Sequence, residues 1–255
     1  MNQFDLSNKV AIVTGASRGI GEAIAWAFVA AGANVVITGR SSERVDAAAA
    51  AINLIYPGRA LPIAAHAGEP DSAKTIVDQA VTYYDRVDIA VNNAATNPHF
   101  GPLLEAGPSH WDKILDVNVK GYFYVCQAAA QQMIRQGRGG KLINMASIAG
   151  LEPGPMMGVY SVSKAAVIML TKVLAVELGK DHIQVNAIAP GFVKTKFSAA
   201  LWQNATLAKG LTDRTPAGRM ADAKEITGAA LYLASAASDF TTGAVLTVDG
   251  GYTLT

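Results

Sequence analysis

The chain has 255 residues, of which 51% are hydrophobic and 16% charged, and its formal net charge is +1. Soluble domains are ordinarily about 25% charged. This composition argues against a disordered chain or a nucleic-acid-binding protein, since both need a dense surface of one charge sign. It favours a large core together with surface that is buried between subunits.

The single cysteine and the apolar segments indicate which classes of protein the chain does not belong to. Cys126 excludes an internal disulfide and a multi-cysteine metal site, and its apolar surroundings in Tyr122–Met133 predict a buried, inert thiol. The opening MNQFDLSNKV lacks the pattern of a secretion leader. No run of 18 apolar residues occurs, because Lys172 and Glu177 interrupt the segment 165–178. We expect a soluble, cytoplasmic protein with neither a membrane nor a nucleic acid as partner.

Short β-branched runs alternate with alanine-rich helical patterns, which is typical of βαβ units and a parallel sheet. The strands are apolar throughout, as expected for a sheet covered by helices on both faces. The sequence predicts an α/β fold, with one Rossmann-like, doubly wound domain over 1–255 and a seven-stranded parallel sheet. The predicted strands are Val10–Gly15, Asn34–Gly39, Ala60–His66, Val87–Asn92, Lys141–Ser147, Ile183–Ala189 and Val245–Asp249. The predicted helices lie near 19–31, 42–55, 70–84, 109–136, 158–179 and 222–236.

The longest stretch without a clear strand is 190–221, and loops of this length in compact domains are usually functional. Apolar side chains recur in it at Phe197, Leu201 and Trp202. We predict a short helical lid over 192–221, closing on a ligand site.

A glycine-rich loop connects the first strand to the first helix in the order Gly15, Ser17, Arg18, Gly19, Ile20, Gly21. Glycines permit a tight turn and close backbone approach, and a helix N-terminus attracts phosphate. An ordinary strand-to-helix turn has similar residues. A second strand that ends about 20 residues later favours a dinucleotide-binding βαβ unit.

The spacing G-x-x-x-G-x-G resembles the short-chain dehydrogenase/reductase family, and the resemblance covers nearly the whole chain. The further motifs that match, in chain order, are Asn92-Asn93-Ala94, Asn118, Ser147, Tyr160-Ser-Val-Ser-Lys164, Pro190-Gly191 and Asp249-Gly250-Gly251.

Two positions depart from the family pattern. Ala95 stands where most members have glycine after Asn-Asn-Ala, a small change that tightens the turn. His66 stands at the end of the third strand, where most members place an aspartate that accepts from the adenine amine. A neutral imidazole nitrogen can accept the same bond. The alternative is a surface histidine.

Tyr160 and Lys164 are four residues apart on a helical pattern, so their side chains share one face. A phenol titrates near pH ~10, and a neighbouring ammonium is expected to lower that pKa towards neutrality. Taken alone, this pair fits a solvated helix face. Ser147, at the carboxyl end of a strand, is either a turn cap or a donor to a substrate carbonyl oxygen.

The resemblance implies a catalytic set of Asn118, Ser147, Tyr160 and Lys164. In it Tyr160 delivers a proton while a nicotinamide hydride adds to a carbonyl carbon, and Lys164 holds the nicotinamide ribose. Asn118 bends its helix and holds a water that links Lys164 to solvent. The cofactor-binding residues it implies are Gly15, Ser17, Arg18, Gly19, Ile20, Gly21, Arg40, Ser41, His66, Asn93, Ala94, Tyr160, Lys164, Pro190, Gly191, Val193 and Thr195.

The residues after the second strand predict NADP(H) as the cofactor. Enzymes that choose NAD place a carboxylate there, whereas this strand is followed by Arg40 and Ser41. Arg18 supplies a second charge from the glycine loop. Glu43 is the first acidic residue, and it suits the N-terminus of the following helix.

The predicted substrate is an apolar ketone or secondary alcohol. The segments Thr96–Phe100, Glu152–Val159 and 192–215 are mostly apolar, and Met156, Met157, Phe197 and Trp202 are the predicted walls.

A 3-oxoacyl-carrier-protein reductase is the main alternative to a general carbonyl reductase. Gln132 and Val176 stand at the positions where such enzymes carry carrier-binding arginines, although Arg135 and Arg138 lie nearby. A dinucleotide sensor without turnover is the minor alternative.

Two expectations concern metals and assembly. The histidines at 66, 99, 110 and 182 are scattered, so no metal site is predicted. The helical segment 158–179 is apolar nearly all round, which predicts cover by a neighbouring subunit. By resemblance to the family, we expect a homotetramer that also uses Asp249 to Thr255.

Overall fold

The computed structural model describes residues 3–154 and 156–255. Met1 and Asn2, in the segment judged to lack a leader, lie outside the described residues. So does Pro155, within the predicted substrate segment Glu152–Val159.

Seven parallel strands form the central sheet in the order β3-β2-β1-β4-β5-β6-β9. All seven predicted strands are therefore confirmed, most of them ending one or two residues earlier than expected. The chain order reverses between β1 and β4, where parallel α/β sheets bind ligands beyond the strand ends. The strands are β1 (Val10–Val13), β2 (Asn34–Gly39), β3 (Ala60–Ala64), β4 (Ile89–Asn92), β5 (Gly140–Met145), β6 (Ile183–Pro190) and β9 (Val245–Val248).

Helices cover both faces of the sheet. They are α1 (Gly19–Ala30), α2 (Ser42–Ile55), α3 (Pro70–Tyr84), α4 (Pro108–Leu115), α5 (Gly121–Gln136), α6 (Gly158–Leu178), α7 (Ala199–Trp202), α8 (Ala205–Asp213) and α9 (Thr227–Ala234). The single helix predicted over 109–136 is instead α4, a π-helical turn (Asp116–Lys120) and α5.

Adjacent residues of one strand enter different cores, which explains the continuous apolar runs. Val13 of β1 packs in a cluster with Phe28 of α1 and Leu233 of α9. Ile12 packs on the opposite face with side chains of α3 and α5. Both faces of the sheet are thus buried, as the sequence indicated.

The helix α6 packs against β6 through Val167 and Ile168, which contact Ala187 and Ala189. Of the helices described, only Gly158–Asp181 is long and apolar enough to cross a membrane, and a core helix meets the same criteria.

The segment 190–221 is helical in part, as predicted, with α7 and α8 inside it. Its start also forms a strand that the sequence did not predict. This strand, β7 (Val193–Lys194), pairs in parallel with β8 (Ala221–Asp222). The pairing joins the two ends of the segment by hydrogen bonds, just after β6 ends.

Candidate active site

A cavity of about 580 Å³ opens at the carboxyl ends of the central strands. The glycine loop, the ends of β2 and β3, and the segment after β6 all border it, together with Ser147, Tyr160 and Lys164. Of the residues predicted to bind cofactor, those that line it are Gly15, Ser17, Arg18, Gly19, Ile20, Arg40, Ser41, His66, Asn93, Ala94, Tyr160, Lys164, Pro190, Gly191, Val193 and Thr195.

Two glycines of the loop are required by close backbone packing. Gly15 has φ +64°, and a Cβ there would lie 2.8 Å from Ala94 Cα. A Cβ on Gly21 would lie 2.5 Å from Asn93 Nδ2, which is closer than real contacts allow. Gly21 therefore shapes the loop from behind and does not itself line the cavity.

Asn93 and Thr14 hold the glycine loop against the end of β4. Asn93 Nδ2 donates to the carbonyls of Thr14 (3.0 Å) and Gly15 (3.1 Å). In the other direction, Thr14 Oγ1 accepts from the Asn93 (2.9 Å) and Ala94 (3.1 Å) amides. With its carbonyls held in this way, the loop presents the N-terminus of α1 to the cavity, and such a terminus favours phosphate.

Three arginines border one end of the cavity. Arg18 and Arg40 were expected there, and Arg44 joins them from the first turn of α2. Ser41 caps this helix through its Oγ, which accepts from the Arg44 amide at 3.4 Å. The sequence contained a signal for Arg44, because a cation in a first helical turn opposes the helix dipole and needs another reason to be there.

His66 and Lys113 border the cavity beyond β3. His66 Nδ1 accepts from the Gly68 amide at 3.2 Å. Lys113 Nζ lies 3.4 Å from that Nε2. Both ring nitrogens of His66 thus already have a donor nearby. The contact between His66 and adenine stays a prediction.

Ser147 and Tyr160 meet at the inner end of the cavity. The strand β5 ends at Met145, so Ser147 lies two residues past it and not within it as expected. There it caps a 3₁₀ turn, its Oγ accepting from the Ala149 amide at 3.1 Å. Its side chain lines the cavity beside Tyr160. The cap expected from the sequence is therefore present, and donation to a substrate carbonyl oxygen stays a prediction.

Burial controls the protonation of Tyr160 and Lys164. It raises the pKa of Tyr160 to about 12, against a smaller lowering from the nearby Ser147 hydroxyl. It lowers the pKa of Lys164 to about 7. The expectation that the ammonium lowers the phenol pKa is wrong, because burial outweighs the effects that lower it. Lys164 Nζ is turned towards Met145 O, at 2.7 Å, and lies 5.6 Å from the Tyr160 ring centroid.

Asn118 is fully buried in the π-helical turn between α4 and α5. Its Oδ1 accepts from the Thr96 amide at 2.8 Å. Its Nδ2 donates to Thr96 O at 3.0 Å and to Ser163 Oγ at 3.1 Å. The side chain thereby joins the loop after β4 to α6, and both N–H groups of its amide are used. A water on Asn118 stays a prediction.

The segment after β6 packs closely against two other parts of the site. A Cβ on Gly191 would lie 2.8 Å from Asp249 Cα. Thr195 Cγ2 lies 3.6 Å from the Cβ position of Gly19, beside the glycine loop. Val193 and Thr195, which were both expected to bind cofactor, line the cavity on the segment that packs against the glycine loop.

Two of the four predicted apolar walls line the cavity. Met157 and Phe197 do, and the Phe197 ring lies 6.0 Å from that of Tyr160. The predictions for Met156 and Trp202 are wrong. Trp202 Nε1 donates to Thr195 O at 2.9 Å, and Met156 O accepts from the Gly101 amide.

Other apolar side chains line the cavity in their place. These are Ile148, Phe192 and Leu201, while of Thr96–Phe100 only Thr96 reaches it. Lys196 is a cation on the same lining.

The histidines are less scattered than the sequence suggested. His99 stacks on His110 with ring centroids 4.8 Å apart. Among the residues described, however, no group of three or more potential ligands could hold a metal ion. Cys126 is buried, as predicted, and burial raises its pKa to about 12.

Comparison with known proteins gives full-length matches. A family model described as enoyl-(acyl carrier protein) reductase matches residues 15–253. Dehydrogenase/reductase SDR family member 4 from Oryctolagus cuniculus is 39% identical over 249 residues, which cover 96% of this chain and 94% of that protein. The 2-dehydro-3-deoxy-D-gluconate 5-dehydrogenase of Dickeya dadantii is 35% identical, with 99% and 98% covered.

Solved structures agree over the same length. A short-chain type dehydrogenase/reductase from Mycobacterium marinum has a TM-score of 0.94 at 39% identity, with 100% of this chain and 99% of that chain covered. A gluconate 5-dehydrogenase from Burkholderia cenocepacia, in complex with NADP and tartrate, has a TM-score of 0.95 at 36% identity, with 100% and 98% covered.

Proposed function

The chain belongs to the short-chain dehydrogenase/reductase family, and from that premise we propose that it is an NADP(H)-dependent oxidoreductase acting on an apolar ketone or the matching secondary alcohol. One observation carries the proposal. Tyr160, Ser147 and Lys164 meet in a cavity that is bordered by arginines and also has an apolar lining.

The residues present fit a nicotinamide dinucleotide. The cradle around Gly15 and Gly21 has no room for a Cβ, and the loop presents the start of α1 to phosphate. Arg18, Arg40 and Arg44 suit a 2′-phosphate, and no carboxylate lines that end in the part of the chain that the structure describes. NADPH held by these residues would supply the hydride that a carbonyl carbon accepts.

The protein's own residues supply the proton and the electrostatic support. Because burial raises the pKa of Tyr160, the phenol is neutral near pH 7 and is a proton donor to a carbonyl oxygen. The Ser147 hydroxyl can donate to the same oxygen and stabilise the charge that develops on it. Lys164 holds the ribose hydroxyls through an N–H of its buried ammonium. In the oxidative direction the proton moves from the alcohol to Tyr160.

An apolar substrate is favoured by Ile148, Met157, Phe192, Phe197 and Leu201, which line the cavity. A second candidate is a hydroxy acid, favoured by Lys196, a cation on the same lining that suits one carboxylate. Relatives named for the oxidation of gluconate-type acids belong to this second class.

The carrier-linked alternative lacks a comparable feature. Arg135 and Arg138 are exposed, and Arg135 donates to Gln132 Oε1 at 2.7 Å, so neither is held in a preformed cluster with a second arginine at Gln132 or Val176. Val176, at the other carrier position, is an exposed apolar residue.

A substrate panel tests the proposal. NADPH consumption with aromatic ketones and diketones is expected to exceed that with acyl-carrier β-ketones, and NADP⁺ reduction with gluconate-type acids is expected to be weak. Turnover of only the carrier or acid substrates would replace the apolar-carbonyl assignment. Tight NADPH binding without turnover of any substrate in the panel would indicate a dinucleotide sensor. The homotetramer and the cytoplasmic location belong to the same proposal.

A further inference from the structure

Lys164 is held by a tyrosine that belongs to no motif of the site. Lys164 Nζ donates to Met145 O at 2.7 Å and to the Tyr122 hydroxyl at 3.3 Å. The Tyr122 hydroxyl in turn donates to the same Met145 carbonyl at 3.2 Å. The three groups form a closed triangle, in which Tyr122 and Lys164 are each only 1% exposed.

The start of α5 determines where Tyr122 lies. The π-helical turn ends immediately before Gly121, and a Cβ on Gly121 would lie 2.2 Å from Ala67 O. Glycine therefore lets the helix start against the backbone that follows β3. Asn92 Nδ2 donates to Tyr122 O at 3.2 Å, which holds the first turn of α5 against the end of β4. The Tyr122 side chain is thus placed by contacts independent of Lys164.

The protonation state of Lys164 decides whether it has an N–H group left for the cofactor. An ammonium has three donors, of which Met145 and Tyr122 take two, so one remains for the cavity that Lys164 lines. A neutral amine has two N–H groups, and both are already used. Lys164 can donate to a ribose hydroxyl only in its charged form.

We propose that Tyr122 is a positioning residue that keeps Lys164 charged and aims its remaining N–H at the cofactor ribose, so that it helps to determine the pH range of cofactor binding. The inference rests on the proposed role of Lys164 towards the cofactor. Removal of the Tyr122 hydroxyl takes away an acceptor that stabilises the ammonium.

Few other ionisable groups are close enough to Lys164 to change the stability of its ammonium. Those that face Lys164 are Tyr122 from α5 and Tyr160 from its own helix, with the Cys126 thiol beyond Tyr122. The strand β5 contributes only the Met145 carbonyl, and the turn after Ser147 contributes the backbone of Gly150. The other ionisable side chains on the described cavity lining are Arg18, Arg40, Arg44, His66, Lys113 and Lys196.

Because burial lowers the pKa of Lys164 to about 7, the charge is lost near neutral pH. The dissociation constant for NADPH, measured by fluorescence titration from about pH 6 to about pH 9, is therefore expected to rise with pH in the wild type. In Tyr122→Phe the rise is expected about one pH unit lower, with binding about fivefold weaker at about pH 7. Tyr124→Phe, the same change two residues along α5, is expected to match the wild type.

The Lys164→Met background separates the two proposals. There, Tyr122→Phe is expected to have no further effect on NADPH binding, because Tyr122 acts through Lys164. Unchanged NADPH binding in Lys164→Met would refute the proposed role of Lys164 itself.

If Lys164→Met binds NADPH weakly but folded Tyr122→Phe keeps the wild-type pH profile, the role of Tyr122 alone is wrong. If Tyr122→Phe does not fold, the wild-type profile decides, since NADPH affinity that is independent of pH would overturn the inference.

Discussion

Replacement of Arg40 by aspartate is expected to reverse the cofactor preference. Arg40 follows β2 directly and borders the cavity with Arg18 and Arg44. A carboxylate at this position repels a 2′-phosphate and can accept from the 2′-hydroxyl of the unphosphorylated ribose. The substitution therefore penalises one cofactor and gives the other a new contact.

The expected loss for NADPH is about 3 kcal/mol. A hydrogen bond to a charged group contributes roughly 1.5–3 kcal/mol, and the exposure of Arg40 places its share near 1.5. Repulsion adds about 1 kcal/mol for each pair of unit charges in contact in water. A 2′-phosphate carries nearly two charges, so this term is about 1–2 kcal/mol. The sum corresponds to roughly a hundredfold lower kcat/KM. Arg18 and Arg44 are unchanged in this variant, so part of the affinity for the 2′-phosphate is expected to remain.

The assay is kcat/KM for NADPH and for NADH with one carbonyl substrate, in the parent enzyme and in Arg40→Asp. Arg138→Asp is the matched control, because it makes the same charge change at an exposed position outside the cavity. It is expected to change neither value more than about twofold. A parent enzyme that prefers NADH, or an NADPH/NADH ratio that Arg40→Asp leaves unchanged, would refute the reasoning.

Three further substitutions or measurements test the rest of the site and the assembly. Tyr160→Phe is expected to lower turnover at least ~100-fold while NADPH binding persists, and Ser147→Ala to act on turnover in the same direction; single-turnover rates together with NADPH titration separate the two effects. Gly21→Ala is expected to weaken NADPH binding and lower Tm, since its Cβ would lie 2.5 Å from Asn93 Nδ2; a normal Kd and Tm would contradict the packing. Light scattering at micromolar concentration is expected to give a four-chain mass that falls in Val176→Asp, because Val176 is 85% exposed on an apolar helix; a monomer mass in the parent protein would count against the tetramer.

The sheet was predictable because its signals are local. Apolar β-branched runs determine the strands, and the positive φ of Gly15 and Gly19 explains why the first turn needs glycine. Tyr160 and Lys164 were predictable in the same way, since four-residue spacing on a helix places two side chains on one face.

Side-chain direction inside loops was not predictable, because distant partners determine it. Trp202 has an apolar ring that suits a pocket wall, but its indole N–H is taken by Thr195 O. The π-helical turn at Asn118 depends on hydrogen bonds to Thr96 and Ser163 from elsewhere in the chain. The pKa of Tyr160 likewise follows from burial, which the spacing of two residues does not reveal.

The hydrogen bonds between Thr14 and Asn93 join residues 79 positions apart. The glycine loop therefore acquires its shape only after β4 has docked beside β1, and a fragment that stops after β2 has no framework for it. A dinucleotide therefore binds the folded chain, in which both halves of the sheet are assembled, and not the unfolded one. Such selective binding transfers ligand free energy to folding, about 2.7 kcal/mol at a hundred times Kd. Cofactor binding is therefore expected to raise the free energy of unfolding as well as to permit turnover.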